Sequence, residues 1–395
     1  MAATEYEIEA VLDEGRVTRV VRARRRRDGL PVVLKQLRLD AAALAGRVAQ
    51  EYALLRRISA PEVVQALALD EWQGLPVLVL AAVPGTPLGA WIRRPRSVAD
   101  ILERLQLALG LARAVALVHA AGVLHRDIKP SNVLVTPDSR VVLIDFSAAT
   151  LAAEPGTLDT DGTLGEGTLQ YMAPEQTGRT GRGIDARSDH YALGVTLFEL
   201  FTGRLPFLDD DPLGLVHSHL ARVPPDPQGL CPELPLALAR VILKLLEKAP
   251  DARYQSMHGL RADLQRCHDE LRRHGRVDPF QPGLSDISPQ LRLPEALPGR
   301  ERERERLHAA LTRAQAGEPG LALVTGPAGA GKSALIRGLA PAAAAAGATL
   351  GAGKFEQVEH GIPYAALAAA LEQVVRRRLA EPEASLLVWR ARLAA

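Results

Sequence analysis

The chain has 395 residues, 47% hydrophobic and 24% charged, with a formal net charge of +2. That length makes room for two or three domains, the composition is that of a globular protein, and so nearly balanced a charge gives no bulk attraction to nucleic acid. The two cysteines, Cys231 and Cys267, and an N-terminus (Met1-Ala2-Ala3-Thr4-Glu5) without a basic-then-apolar leader lead us to expect a cytoplasmic protein with no membrane segment.

Residues 1 to about 80 read as short β segments and one helix. Val17-Thr18-Arg19-Val20-Val21-Arg22 alternates, Leu30 to Leu37 is a second strand, and Asp28-Gly29 between them is a hairpin signal. Arg47 to Ile58 has helical spacing, and Leu75 to Val83 is another apolar strand. From about 100 to 275 the pattern is mostly helical. Its longest apolar run, Leu105 to Leu124, is interrupted by Arg113 and His119 and reads as a buried helix, not a membrane span.

Directly after that run stands His125-Arg126-Asp127-Ile128-Lys129-Pro130-Ser131-Asn132. Asp127 can orient an attacking hydroxyl and accept its proton, Lys129 can neutralise a phosphoryl group in flight, and Asn132 can hold a metal ion. Together they suit phosphoryl transfer, in which catalysis is mostly positioning and charge stabilisation. After the apolar strand Val141-Val142-Leu143-Ile144 comes Asp145-Phe146-Ser147, which supplies a second metal-binding carboxylate.

Prolines 279, 282, 289 and 294 then punctuate residues 276–297, with Pro298 directly after, and the stretch reads as an extended linker. Arg300 to Leu311 is a charged helix with balanced signs. It reads as solvated, as do the basic runs Arg22 to Arg27 and Arg376 to Arg378. Leu321 to Thr325 is a buried-type strand. It leads into Gly326-Pro327-Ala328-Gly329-Ala330-Gly331-Lys332-Ser333 and a helix opening at Ala334. In such a loop the backbone around Gly326, Gly329 and Gly331 cradles phosphates, Lys332 reaches the β- and γ-phosphates, and Ser333 ligates Mg²⁺. Ala340 to Ala346 reads as helical and Gly351-Ala352-Gly353-Lys354 as a turn. No strand ending in Asp follows, and 298–395 is short for a P-loop ATPase domain. The expectation is the first part of such a domain, binding ATP rather than hydrolysing it.

The paired motifs resemble H-R-D-x-K-x-x-N and D-F-G of the eukaryotic-type protein kinase family. The resemblance implies a bilobal α+β protein kinase fold over 1–275, with an N-lobe at 1–83 and a C-lobe at 84–275. The linker 276–297 and the start of an α/β P-loop domain of AAA type at 298–395 follow. It implies that Lys35 contacts the α- and β-phosphates of ATP and pairs with Glu51. Aligning Val20 with the valine of G-x-G-x-x-G-x-V leaves Gly15 as the one surviving glycine, with Asp13 and Thr18 at the other two positions. Asp13 beside the triphosphate works against ATP affinity, not against the fold. Leu80 gates the adenine pocket, and Ala81 C=O and Val83 N–H are its hinge groups. Ser147 replaces the D-F-G glycine. Lys129 and Thr168 favour serine/threonine acceptors. Glu175 pairs with Arg253, and Asp189 braces the catalytic loop. Arg126 would grip a phosphate on the segment from Asp145 to Glu175, with Thr163 as the expected site; the alternative is that one of Glu154, Asp159, Asp161 and Glu166 already pairs with it and the kinase is active unmodified.

Tyr171 to Thr180, Ala252 to Ser256, Asp278-Pro279-Phe280, Pro298 to Glu301, and Gly353 to Gln357 with Ile362 to Leu367 also resemble, in order, the large serine/threonine kinase–ATP-binding–sensor histidine kinase signalling proteins. The resemblance implies an ATP- and Mg²⁺-dependent serine/threonine kinase acting on protein substrates, with signalling partners and a second nucleotide site. The competing expectation is a pseudokinase, a nucleotide-sensing scaffold, which the eroded glycine loop favours.

Overall fold

The computed structural model describes residues 5–15, 18–37, 42–73, 75–152, 169–180, 182–286, 299–327 and 330–339, with scattered positions beyond (342–343, 348, 351, 353, 364, 367–368, 370–371 and 374–375). The chain forms two compact units, Met1–Pro289 and Gln290–Ala395.

The first unit opens with strands β1 (Tyr6–Glu14), β2 (Thr18–Arg25) and β3 (Pro31–Leu37), helix α1 (Ala42–Leu55), and strands β4 (Ala66–Trp72) and β5 (Leu75–Ala81). The strands make one antiparallel sheet in the order β1-β2-β3-β5-β4. Gly29, at φ 68°, turns the β2–β3 hairpin where the sequence signalled it. Alternation sorts the side chains. Val21, Ala23, Val32, Leu34, Val77 and Val79 close one face with Tyr6 and Trp72. Leu78 and Leu80 join the core beneath α1 on the other. β5 is apolar on both faces because it lies inside the sheet and both faces are covered.

Strand β6 (Thr86–Pro87) leads to α2 (Val98–Ala120), β7 (Val123–Leu124), β8 (Val133–Val135), β9 (Val141–Leu143) and β10 (Thr150–Leu151). Ser97 caps α2 by accepting from Asp100 N at 3.1 Å, and Gly122, at φ 71°, follows its end. The apolar run expected to be a buried helix lies in α2 as far as Ala120, with Leu105, Ala108, Leu111, Ala112 and Val115 fully buried, and its end, Val123–Leu124, is β7 instead. No helix among the described residues is long and apolar enough to cross a membrane. α3 (Ala186–Thr202) is the buried axis of this lobe, packed against α2, and is followed by α4 (Pro212–Ala221), α5 (Pro227–Leu230), α6 (Leu236–Leu245), which packs on α3, and α7 (Met257–His274), which packs on α2.

The unit does not stop at 275, where the linker was expected to begin. Phe280 is buried, with the Arg266 guanidinium 4.4 Å from its ring centroid. Gly283 N donates to Asp263 Oδ2 at 2.6 Å. Asp286 accepts from Gln255 N at 2.6 Å, from Ser256 N at 2.9 Å and from Ser256 Oγ at 2.8 Å. Residues 276–286 are therefore a strap laid on the start of α7. The rest of the expected linker, 287–297, lies outside the described residues.

In the second unit α8 (Glu301–Gln315) has no buried residue, as its balanced charges implied, and α9 (Lys332–Arg337) follows the glycine-rich loop. The strand expected at 321–325 is absent: that segment is irregular, with Leu321 97% and Leu323 83% exposed. A buried parallel strand needs neighbours on both edges, and no strand of this unit occurs among the described residues.

Candidate active site

The catalytic-loop candidates lie between β7 and β8. Asp189, near the start of α3, holds this loop by its backbone. Its Oδ2 accepts from His125 N at 2.9 Å and its Oδ1 from Arg126 N at 2.7 Å. The ring Nε2 of His119 also lies 2.7 Å from Oδ2. Burial works against the charge of Asp189, but the bonds from His119 and the His125 N–H outweigh it and hold its carboxyl below the usual range. Arg126 sits at φ 67°. A non-glycine residue keeps that conformation only where its surroundings over-determine it. Here Asp189 holds its N–H, and its carbonyl accepts from Gln176 Nε2 at 3.0 Å.

Asp127 is buried at the turn of this loop. Lys129 Nζ at 2.7 Å and Asn132 Nδ2 at 2.9 Å both donate to its Oδ2. Its Oδ1 is buried with no hydrogen-bond partner. One carboxylate oxygen is thus spent on orientation, and the other is left to accept a proton. With its NH₂ also bonded to Asp127 O at 2.9 Å, Asn132 has its amide oxygen left for a cation.

Lys35, Glu51 and Asp145 meet from β3, α1 and the turn after β9. Lys35 Nζ lies 2.7 and 2.9 Å from the Glu51 oxygens and 2.6 Å from Asp145 Oδ1. Burial works against the lysine's charge, but Asp145 and Glu51 outweigh it and raise its pKa. Burial raises Glu51 despite Lys35. Asp145 also loses hydration, yet Lys35 and Ser147 hold it far below the usual carboxylate range, so it stays ionised. Its backbone stands at φ 62°. Phe146 is buried, donates its N–H to Glu51 Oε1 at 3.1 Å, and packs edge-on against His125, 4.6 Å between centroids. That contact joins the two motifs, and neither spacing nor composition signals it.

The expected Glu175–Arg253 pair is present and bidentate, at 2.7 and 2.9 Å, with both side chains buried and Ser188 Oγ donating to the same carboxylate. Val20 pairs with Lys35 across β2–β3, the register the alignment assumed. Gly15 N donates to Thr18 O at 2.9 Å, and Asp13 and Glu14 of β1 stand opposite Val20 and Arg19 of β2. Ala81 ends β5 with its N–H on Gln65 O, and Val83 follows it against the core. Thr163 and Thr168 lie outside the described residues.

In the second unit Gly331 has φ 81°, and Lys332 Nζ donates to the carbonyls of Gly326 (2.8 Å) and Pro327 (2.7 Å). Ser333 lies in the first turn of α9, and Gly329 is outside the described residues.

The protein kinase domain pattern matches residues 6–264. The chain belongs to the protein kinase domain family. Residues 296–395 match the AAA ATPase domain. The chain is 34% identical over 272 residues to a protein of Streptomyces coelicolor named "Probable serine/threonine-protein kinase", covering 67% of this chain and 40% of that one. It is 32% identical over 271 residues to the serine/threonine-protein kinase PknB of Mycolicibacterium smegmatis, covering 67% and 43%. It is 27% identical over 381 residues to the hybrid signal transduction histidine kinase G of Dictyostelium discoideum, covering 74% of this chain and 11% of that protein. The chain spans about two fifths of the length of the first two relatives.

Proposed function

We propose that this kinase transfers the γ-phosphoryl group of ATP to serine or threonine hydroxyls of proteins, in the cytoplasm and within a signalling system. The observation that carries this reading is the divided carboxylate of Asp127, oriented through Oδ2 with Oδ1 buried and open. Asp127 orients the acceptor hydroxyl and takes its proton. Lys129, already on Asp127, neutralises the phosphoryl group in transit. Lys35, fixed by Glu51, holds the α- and β-phosphates, and the main chain of Ala81 and Val83 receives adenine. Gly15 and Val20 cover the nucleotide.

The donor set of Asn132 and Asp145 fits Mg²⁺: both offer oxygen, the carboxylate is held ionised, and hard cations prefer such ligands. When bound, the metal neutralises charge on the β- and γ-phosphates. The loop at Gly326, Gly331, Lys332 and Ser333 supplies a second ATP site, with Ser333 toward its metal. The chain's partners are protein acceptors and signalling proteins, not nucleic acid.

The scaffold reading draws on the eroded glycine loop alone. The Lys35–Glu51–Asp145 cluster argues against it, because a docking module has no use for three charges, Glu51 among them buried, fixed on one another. Transfer of labelled phosphate from ATP to myelin basic protein by the whole chain, with Asp127→Asn as control, decides between them. Equal labelling by both would sink the kinase reading.

A further inference from the structure

The strap that follows α7 ends on the turn that carries Arg253. Asp286 gives both carboxylate oxygens to that turn. Its Oδ2 accepts from Gln255 N at 2.6 Å, and its Oδ1 from Ser256 N at 2.9 Å and Ser256 Oγ at 2.8 Å. Gln255 passes the hold backwards along the chain. Its Nε2 donates to the carbonyls of Pro250 (3.0 Å), Asp251 (3.3 Å) and Arg253 (2.7 Å), so one amide closes the residues that precede it. Arg253 is the buried partner of Glu175, and it also donates to the carbonyls of Arg187, Glu247 and Lys248. Directly after Glu175, Gln176 holds the Arg126 carbonyl, one residue before Asp127. A second anchor grips the same strap: Asp263 Oδ2 accepts from Gly283 N at 2.6 Å and from Tyr254 Oη at 2.5 Å.

The helix makes room for the strap. Gly259 is buried in the first turn of α7, and a Cβ there would stand 2.6 Å from Asp286 Cα. Gly283, at φ 88°, lies so close to Lys244 that a Cβ would meet Lys244 Cε at 2.7 Å. A carboxylate with three donors and two glycines at the points of closest approach make a fitted seat. The protein kinase domain pattern ends at residue 264, so Asp286 lies beyond it.

We propose that Asp286 is a positioning residue for the protein acceptor: it fixes Gln255, Gln255 fixes the Arg253 turn, and Arg253 sets Glu175 and the segment before it, which the family resemblance gives to the acceptor. This inference rests on the kinase reading. No residue of this relay is among those that hold ATP, so ATP is indifferent to it.

The test is steady-state kinetics of the whole chain with ATP and myelin basic protein varied in turn. Asp286→Ala should raise KM for the protein roughly five-fold, within the range such networks carry, and leave KM for ATP unchanged. Gln255→Ala cuts the relay at its middle while its own N–H stays on Asp286, and it should do the same. Because both lie on one relay, the double variant should be no worse than the worse single variant. Effects that multiply would mean two independent structural losses and overturn the proposal. Gly259→Ala keeps every donor and acceptor but pushes the strap off its seat. Alanine is the better helix former, so a passive strap predicts a variant at least as stable as the parent with KM unmoved. The proposal predicts a raised KM for the protein, as in Asp286→Ala. An unmoved KM in Gly259→Ala, or KM values for both substrates rising together, overturns it. If the unaltered chain transfers nothing, the kinase reading falls and this inference with it; if it transfers but Asp286→Ala leaves KM for the protein unmoved, only this inference falls.

Discussion

At Asp127 the order of the motif and the geometry of the site say different things. The motif supplies a carboxylate, an ammonium and an amide at fixed spacing, and in the structure one carboxylate oxygen accepts from the other two while the second has no hydrogen-bond partner. Asp127→Asn keeps the volume and removes the proposed base. It should cut turnover by roughly 10²–10⁴-fold while leaving ATP binding and the thermal midpoint near the parent's, as a phosphate-transfer assay and a nucleotide titration would report. The charged residues at the site were legible because phosphoryl transfer demands those groups in that order. The partners that aim them were not. His119 on Asp189, Gln176 on the Arg126 carbonyl and His125 against Phe146 are contacts between residues far apart in sequence, and no spacing encodes them.

Among the elements, strands appear where the sequence put them: the hairpin at Asp28-Gly29, marked by alternation, and β5, marked by its continuous apolar run, both stand. The readings that failed relied on composition alone. Proline and glycine made 276–286 look like a free linker, yet main-chain N–H groups bonded to Asp286 and Asp263 dock it. Asp286→Ala leaves the Gln255 and Ser256 N–H groups at the start of α7 without their acceptor. The loss should be about 1–2 kcal/mol, the range of a lost helix cap, seen as a lower urea midpoint and faster proteolysis within 276–286. Leu321 to Thr325 looked like a buried strand because it is apolar, but burial requires neighbouring strands to cover it. The β1–β2 turn makes a separate prediction. Asp13 sits on β1 opposite Val20, which itself pairs with Lys35. An exposed carboxylate so near the triphosphate is worth up to about 1 kcal/mol of repulsion. Asp13→Gly should therefore lower KM for ATP roughly two- to five-fold, and an unchanged KM would place the triphosphate away from β1.

The whole first unit has an acid weakness built into its core. His190 and His219 are both buried, and burial pushes their pKa values down to about 3 and about 4. His190 also feels the neighbouring His119, 5.6 Å away between ring centroids, while its Nδ1 lies 2.8 Å from the Tyr254 carbonyl. The ordinary imidazole value is about 6.5. Below that pH the unfolded chain takes up protons that the folded lobe refuses, so stability falls as pH drops. The loss begins near pH 6.5 and runs to about pH 4 for His219 and about pH 3 for His190. Each histidine adds a slope of about 1.4 kcal/mol per pH unit inside its window. Cys231 and Cys267, the chain's two cysteines, are both fully buried in this lobe, so their reaction with a pyridyl disulfide reports its unfolding alone. The urea midpoint for thiol exposure should decline steadily from pH 6.5 to pH 4. In His219→Gln the decline should be about half as steep, because one of the two proton sites is gone. A midpoint flat across that range would mean that the histidines are already charged, or hydrated, in the folded protein.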